Sequence, residues 1–224
     1  VGGATYKLEA NNGPNHLHGC FNRKLYRVKS FGDTLLMEAE SPDGEDGFPG
    51  NLKIAVRYTL TEDNAFRMDY RVSSDADTIV NLTNHSYFNL DGGGDVLNQK
   101  LRIYASRYLE GNNQCCPTGA ILPVADTPMD FTAGKLIGRE IDTGFAQTTM
   151  VGGGYDHCYV IDRARGSSQS ICAWATSDKT GISMKLYTTQ PGIQLYTANF
   201  LQDCPSPGKG GKPLQKYGGF ALET

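Results

Sequence analysis

Leu52-Lys53-Ile54-Ala55-Val56-Arg57-Tyr58-Thr59-Leu60, followed by Thr61-Glu62-Asp63-Asn64 and then Ala65-Phe66-Arg67-Met68-Asp69-Tyr70-Arg71-Val72-Ser73, is the stretch that settles the fold class. Apolar and polar side chains alternate on both sides of a short acidic turn. A period of two belongs to a half-buried strand, not to a helix. The stretch therefore predicts a hairpin of Leu52–Leu60 against residues 65–73.

The same grammar extends in both directions. Towards the N-terminus, residues 24–29 and 34–40 read as paired strands around Phe31-Gly32-Asp33, and residues 5–10 as the tail of another. Asn11-Asn12-Gly13-Pro14-Asn15 is a loop by composition. It leads into His16-Leu17-His18-Gly19, where an extended chain puts His16 and His18 on one face. Asp43-Gly44-Glu45-Asp46-Gly47-Phe48-Pro49-Gly50 lacks the alternating ligands and closing glutamate of an EF-hand and reads as a solvated loop. Towards the C-terminus, Ile79-Val80-Asn81-Leu82-Thr83 reads as a strand. It runs into Asn84-His85-Ser86-Tyr87-Phe88-Asn89-Leu90-Asp91, which closes on Gly92-Gly93-Gly94. A histidine among amides and aromatic rings suits a site for a polyhydroxylated ligand, the rings covering its C–H face and the amides its hydroxyls. Further strands follow at 101–105 and 120–124, with a short helical turn within 131–141. Gly154-Tyr155-Asp156-His157 opens an apolar strand, and residues 170–177 and 181–189 form another hairpin. The glycine run before Tyr155 has no Lys-Ser/Thr and no helix after it, so it is a poor phosphate loop. Short antiparallel strands with almost no helix predict an all-β chain, a large antiparallel β-sandwich.

The 224 residues carry a net charge of −3, which gives no electrostatic case for nucleic acid or an acidic membrane. No apolar run is long enough to span a bilayer. Six cysteines without a CxxC pair argue against a zinc ribbon and read as mostly free thiols, which favours a reducing, cytoplasmic compartment. The chain begins at Val1, so secretion stays open. His18, His85, Asp156, His157 and Glu223 are ionisable groups set in strand-like segments. A buried carboxylate such as Glu223 in Phe220-Ala221-Leu222-Glu223 is costly unless paired or used.

Several of these pieces occur together in one known family. Asn11 to Asn15 with Leu17-His18-Gly19, Ser41-Pro42-Asp43-Gly44-Glu45 with Gly47-Phe48-Pro49-Gly50, and Asn81 through Leu90 come first. Gly154-Tyr155-Asp156-His157, Thr189-Gln190-Pro191-Gly192 with Gln194-Leu195-Tyr196-Thr197, and Gly219-Phe220-Ala221-Leu222-Glu223-Thr224 follow in the same order. In these motifs the chain resembles the aldose 1-epimerase (galactose mutarotase) family over nearly its whole length. The resemblance implies a mutarotase-like β-sandwich. It implies interconversion of the α and β anomers of free glucose or galactose, with His85 as general acid and Glu223 as general base. It also implies that His18, Asp156, Gln194 and Asn11 bind the sugar, and that no metal or other cofactor takes part. His16 and His157 are expected to be structural.

The chain departs from the family pattern at Cys20, where a second glycine is usual, and in a shortened segment after it. The family's leading strands and closing strands have no counterpart here. The expectation is one domain over residues 1–224, lacking N-terminal strands and a C-terminal end, acting on a small sugar as a monomer or weak homodimer. Two alternatives remain open. One is a hexose-6-phosphate 1-epimerase or a non-catalytic sugar-binding relative, for which Arg23, Lys24 and Arg27 are the candidate phosphate ligands if they do not lie on a solvated face. The other is a metal-dependent enzyme using His16, His18, His85 and Asp156. The sequons at Asn81 and Asn84 fall inside the candidate site segment, where a glycan does not fit.

Overall fold

The computed structural model describes residues 1–224, and its chain divides into two compact units, Val1–Leu82 and Thr83–Thr224. The structure is nearly all strand. The one α-helix, α1, is Ala146–Met150.

The first unit is a four-stranded antiparallel sheet in simple sequence order. Its strands are β1 (Arg27–Phe31), β2 (Thr34–Ser41), β3 (Leu52–Leu60) and β4 (Phe66–Ser74). Leu52 pairs with Ser74 and Leu60 with Phe66, so the hairpin read from the sequence forms in full register. Its alternation turns Ile54 and Val56 to one face, where they join Ala39, Tyr26, Tyr58 and Val72 in a small core. The opposite face carries Arg27, Glu38, Lys53, Arg57 and Arg71 and is polar.

Two expectations fail in this unit. Residues 5–10 form no strand, because no neighbouring strand pairs with them. The acidic loop is not simply solvated. It holds a 3₁₀ turn, Glu45–Gly47, whose Glu45 carboxylate accepts hydrogen bonds from Lys24 Nζ and Ser41 Oγ. These donors, Lys24 first, hold the Glu45 carboxyl below the usual carboxylate range. Lys24 is thereby committed inward and does not sit on a solvated face.

The second unit contains two antiparallel sheets. One has six strands in the order β5-β14-β13-β10-β7-β8, and the other four in the order β12-β11-β6-β9. The strands of the first are β5 (Tyr87–Phe88), β7 (Arg107–Gly111), β8 (Pro117–Pro123), β10 (Asp156–Val160), β13 (Gly192–Tyr196) and β14 (Phe220–Glu223). Those of the second are β6 (Lys100–Ile103), β9 (Lys135–Leu136), β11 (Ser170–Thr176) and β12 (Ser183–Thr188). Tyr108, Tyr159, Ile193, Leu195 and Phe220 from the six-stranded sheet share one core with Leu101, Ile103, Cys172 and Ala173 from the four-stranded sheet. Full burial of each large side chain contributes about 1.5–3 kcal/mol. The second unit is thus an antiparallel sandwich, and the chain is the nearly helix-free, all-β chain that the sequence predicts.

Three local differences matter. Residues 79–83 lie outside any strand, and Ile79 is 66% exposed. Strand β7 was not anticipated. The helical turn expected within 131–141 is the 3₁₀ segment Ile137–Glu140. All six cysteines are free.

Candidate active site

The site is mounted on the face of the six-stranded sheet that turns away from the core. On β10 the core side takes His157 and Tyr159, which leaves Asp156 and Cys158 on the other side. On β13 the core takes Ile193 and Leu195, leaving Gln194 and Tyr196. Register then aligns the strands: Gln194 faces Glu223, Cys158 faces Gln194, and Ala221 faces Tyr87. Four separate motifs of the sequence are therefore brought to one patch of one sheet.

His85 reaches the patch from the segment that enters β5. Asn84 shapes that segment, since its side-chain oxygen accepts from the Ser86 N–H at 3.1 Å and the Ser86 hydroxyl at 2.6 Å. Asn89 fixes the far end. Its Nδ2 donates to the Gly94 and Gly218 carbonyls, and its Oδ1 accepts from Gln99 Nε2 and the Asp91 N–H. The Asn89 amide is thus spent on architecture, not on a ligand, contrary to the sequence expectation for the amides of this stretch. Phe88 turns inward against Phe220. His85 and Tyr87, two positions apart, remain at the site.

His85 Nε2 lies 3.4 Å from Glu223 Oε1, with the glutamate side chain only 9% exposed. The imidazole is held between two tyrosines. Its ring centroid is 4.9 Å from that of Tyr87 and 6.1 Å, edge-on, from that of Tyr196. Burial, and then the like charge of Asp156, raise the Glu223 pKa to about 7. Burial also raises the Asp156 pKa, opposed by a 2.7 Å hydrogen bond from Gln194 Nε2 to Asp156 Oδ1. A carboxylate that titrates near neutrality beside an imidazole is an acid–base pair in contact.

The strand ends behind the patch are pinned by a buried polar network. Thr197 Oγ1 accepts from the Tyr155 N–H and donates to Asn199 Oδ1, and Asn199 Nδ2 donates to the Val151 carbonyl. A side chain at Gly154 would meet Asn199 Oδ1 at 2.0 Å, which explains the glycine before Tyr155. The Tyr196 hydroxyl accepts the Phe200 N–H at 3.1 Å. Tyr87 is one of the aromatic rings read beside His85 in the sequence, whereas Tyr196 has no reading there as a site residue. The signal for Tyr196 is the period of two from Gln194.

The remaining candidates lie elsewhere. His157 is in the core, with Nε2 3.1 Å from Gln147 Oε1, and burial lowers its pKa to about 4, so it is neutral. His16 sits in the first unit, its Nδ1 2.6 Å from the Glu9 carbonyl and its ring edge-on to Phe48. Both hold structural positions. Asn11 and His18 also belong to the first unit. The Asn11 side chain exchanges hydrogen bonds with the Leu17 backbone at 2.9 and 2.6 Å, closing the loop that carries His18. His18 has φ 60°, in the left-handed region, which breaks the shared face expected for His16 and His18. No group of three or more His, Cys, Asp or Glu side chains is placed to hold a metal ion. Two surface hollows lie on the first unit's sheet, one lined by Arg57, Arg67 and Asp69 and the other by Arg27, Lys53 and Arg71. Neither contains His85, Asp156, Gln194 or Glu223; of the candidates only Arg27, named for the phosphate alternative, lines one of them.

Comparison with known proteins gives a consistent result. A family model described as aldose 1-epimerase matches residues 1–224. The chain is 35% identical over 230 residues to an aldose 1-epimerase of Haemophilus influenzae, covering 100% of this chain and 65% of the relative. It is 38% identical over 227 residues to a galactose mutarotase of Sus scrofa, covering 99% of this chain and 64% of the relative. A solved aldose epimerase homologue from C. elegans superposes with a TM-score of 0.89 at 31% identity, over 100% of this chain and 66% of that one. The chain thus spans a little under two thirds of the length of these relatives.

Proposed function

Because the chain belongs to the aldose 1-epimerase family, we propose that it interconverts the α and β anomers of free hexoses such as glucose and galactose. Glu223 acts as general base and His85 as general acid. The observation that carries this reading is the 3.4 Å approach of His85 Nε2 to Glu223 Oε1 on a partly buried, tyrosine-walled patch. In the forward step Glu223 takes the proton of the C1 hydroxyl, the C1–O5 bond breaks, and protonated His85 delivers its proton to O5. The product is the open-chain aldehyde, with His85 and Glu223 both neutral. Rotation about C1–C2 presents the other carbonyl face. His85 then removes the O5 proton, O5 attacks C1, and Glu223 returns its proton to O1. Protons and charges balance over the cycle, so the pair is reset whichever anomer leaves.

The raised Glu223 pKa suits this two-way duty, since a base that titrates near 7 also gives its proton back readily. In this reading Asp156 and Gln194, on the same sheet face, orient sugar hydroxyls, and Tyr87 and Tyr196, whose rings lie 6.2 Å apart, cover the ring's C–H face. By the family resemblance His18 binds near the ring oxygen and Asn11 supports substrate binding. His85, Asp156, Gln194 and Glu223 all come from one unit of one chain, so a monomer or weak homodimer suffices. Sedimentation at assay concentration reads that state. The decisive test is polarimetry on freshly dissolved α-D-glucose and α-D-galactose. Catalysed decay of optical rotation is expected for at least one sugar, and uncatalysed rates for both would overturn the reading.

A further inference from the structure

Gln194 occupies the middle strand of three. Its Cα is in register with Glu223 of β14 on one side and with Cys158 of β10 on the other. Asp156 lies two residues before Cys158, on the same face and diagonal to Gln194. Diagonal neighbours across a sheet lie within reach of long side chains. Gln194 uses that reach, and its Nε2 donates to Asp156 Oδ1 at 2.7 Å. The amide is therefore already engaged in the empty site.

A buried carboxylate that accepts a hydrogen bond is favoured in its charged form. A charged Asp156 in turn disfavours charge on Glu223. We propose that Gln194 is a positioning residue that acts through Asp156 on Glu223: its amide favours the charged form of Asp156 on the sheet face that carries the base, and residues of three adjacent strands work as one electrostatic unit. This deepens the mutarotase reading and rests on it for its catalytic consequence. It adds this work to the hydroxyl contact that the resemblance implies for Gln194.

Other groups face the same pair. His85 contacts Glu223, and Tyr87 and Cys158 also feel the Glu223 charge. Tyr87, Tyr196 and Cys115 feel that of Asp156. None of them is substituted in the variants that test the idea.

The test follows the ¹³C carboxyl resonance of Glu223 against pH in the full chain, beside the pH profile of kcat/KM. Asp156→Asn removes the neighbouring charge, so Glu223 should ionise at lower pH. Gln194→Met keeps the volume but removes the donor. Asp156 then holds its proton to higher pH, its charge at a given pH is reduced, and Glu223 should again ionise at lower pH. We expect roughly a threefold rise in the charged-to-neutral ratio of Glu223 at pH 6 for Asp156→Asn, and a smaller rise for Gln194→Met. The double variant should add nothing to Asp156→Asn. Gln194→Ser, which also lacks the reach, replaces Gln194→Met if the latter does not fold. A Glu223 titration unchanged by either substitution at Gln194 overturns the proposal, as do additive shifts in the double variant. If the wild-type chain has no mutarotase activity, the functional reading fails, while the carboxyl titration still decides the coupling.

Discussion

The contact between His85 and Glu223 makes the most direct demands at the level of single side chains. Glu223→Gln removes the base and His85→Asn the acid. Each should lower kcat by about 10²–10⁴-fold in polarimetry, because a positioned acid or base supplies that much. Near-UV circular dichroism should remain that of the wild type. The acid limb of kcat/KM should fall with decreasing pH around about 7, where Glu223 takes up its proton. The same titration sets a stability term. The Glu223 pKa is raised from 4.5 to about 7 on folding, so the folded state binds more protons than the unfolded state between those values. The associated stability is fully present below about 4.5 and lost as pH rises through about 7. Glu223→Gln, which never ionises, should therefore be more stable than wild type at pH 8 by about 1–2 kcal/mol in denaturant unfolding, allowing for screening. No difference should remain at pH 4. A variant that is less stable at pH 8 would mean the carboxylate is not desolvated.

Strands assemble the site, and strands show how far the sequence could be read. The β1–β2, β3–β4 and β11–β12 hairpins were legible because alternation and a turn residue cluster are both local signals. The alternation of Ile79 to Thr83 was equally local, yet no strand forms there. A ladder needs a partner, and partnering is a non-local fact. Strand β7 was missed for the converse reason. Arg107 and Glu110 blur its pattern, while its pairing with both β8 and β10 fixes it as a strand. Family motifs named His85, Asp156, Gln194 and Glu223, but their convergence depended on register between strands distant in sequence. The hydrogen bond from Gln194 to Asp156 left no trace in the sequence at all. Gly154 offers a prediction at this scale. Gly154→Ala drives a methyl group into Asn199 and Thr197, which tie β10 to the segment after β13. Overpacking of that kind typically costs about 1–3 kcal/mol. The variant should melt several degrees lower, and a melting temperature equal to wild type would show that the network is free to move aside.

Taken whole, the chain distributes its buried surface unevenly. The first unit buries Ala39, Ile54 and Val56, whereas the second buries a long series of large side chains between two sheets. Local stability follows buried apolar contact. Amides of β3 should therefore exchange with deuterium at a lower opening free energy than amides of β13, as native-state hydrogen exchange would read. Equal protection in both units would contradict this. The strand order β5-β14-β13 has a consequence for biosynthesis. The ribosome delivers β5 and β13 well before β14, the strand that must slip between them and bring Glu223 to His85. Until it emerges, the nascent sheet holds an open slot with two unpaired rims, the kind of surface that invites aggregation or a chaperone.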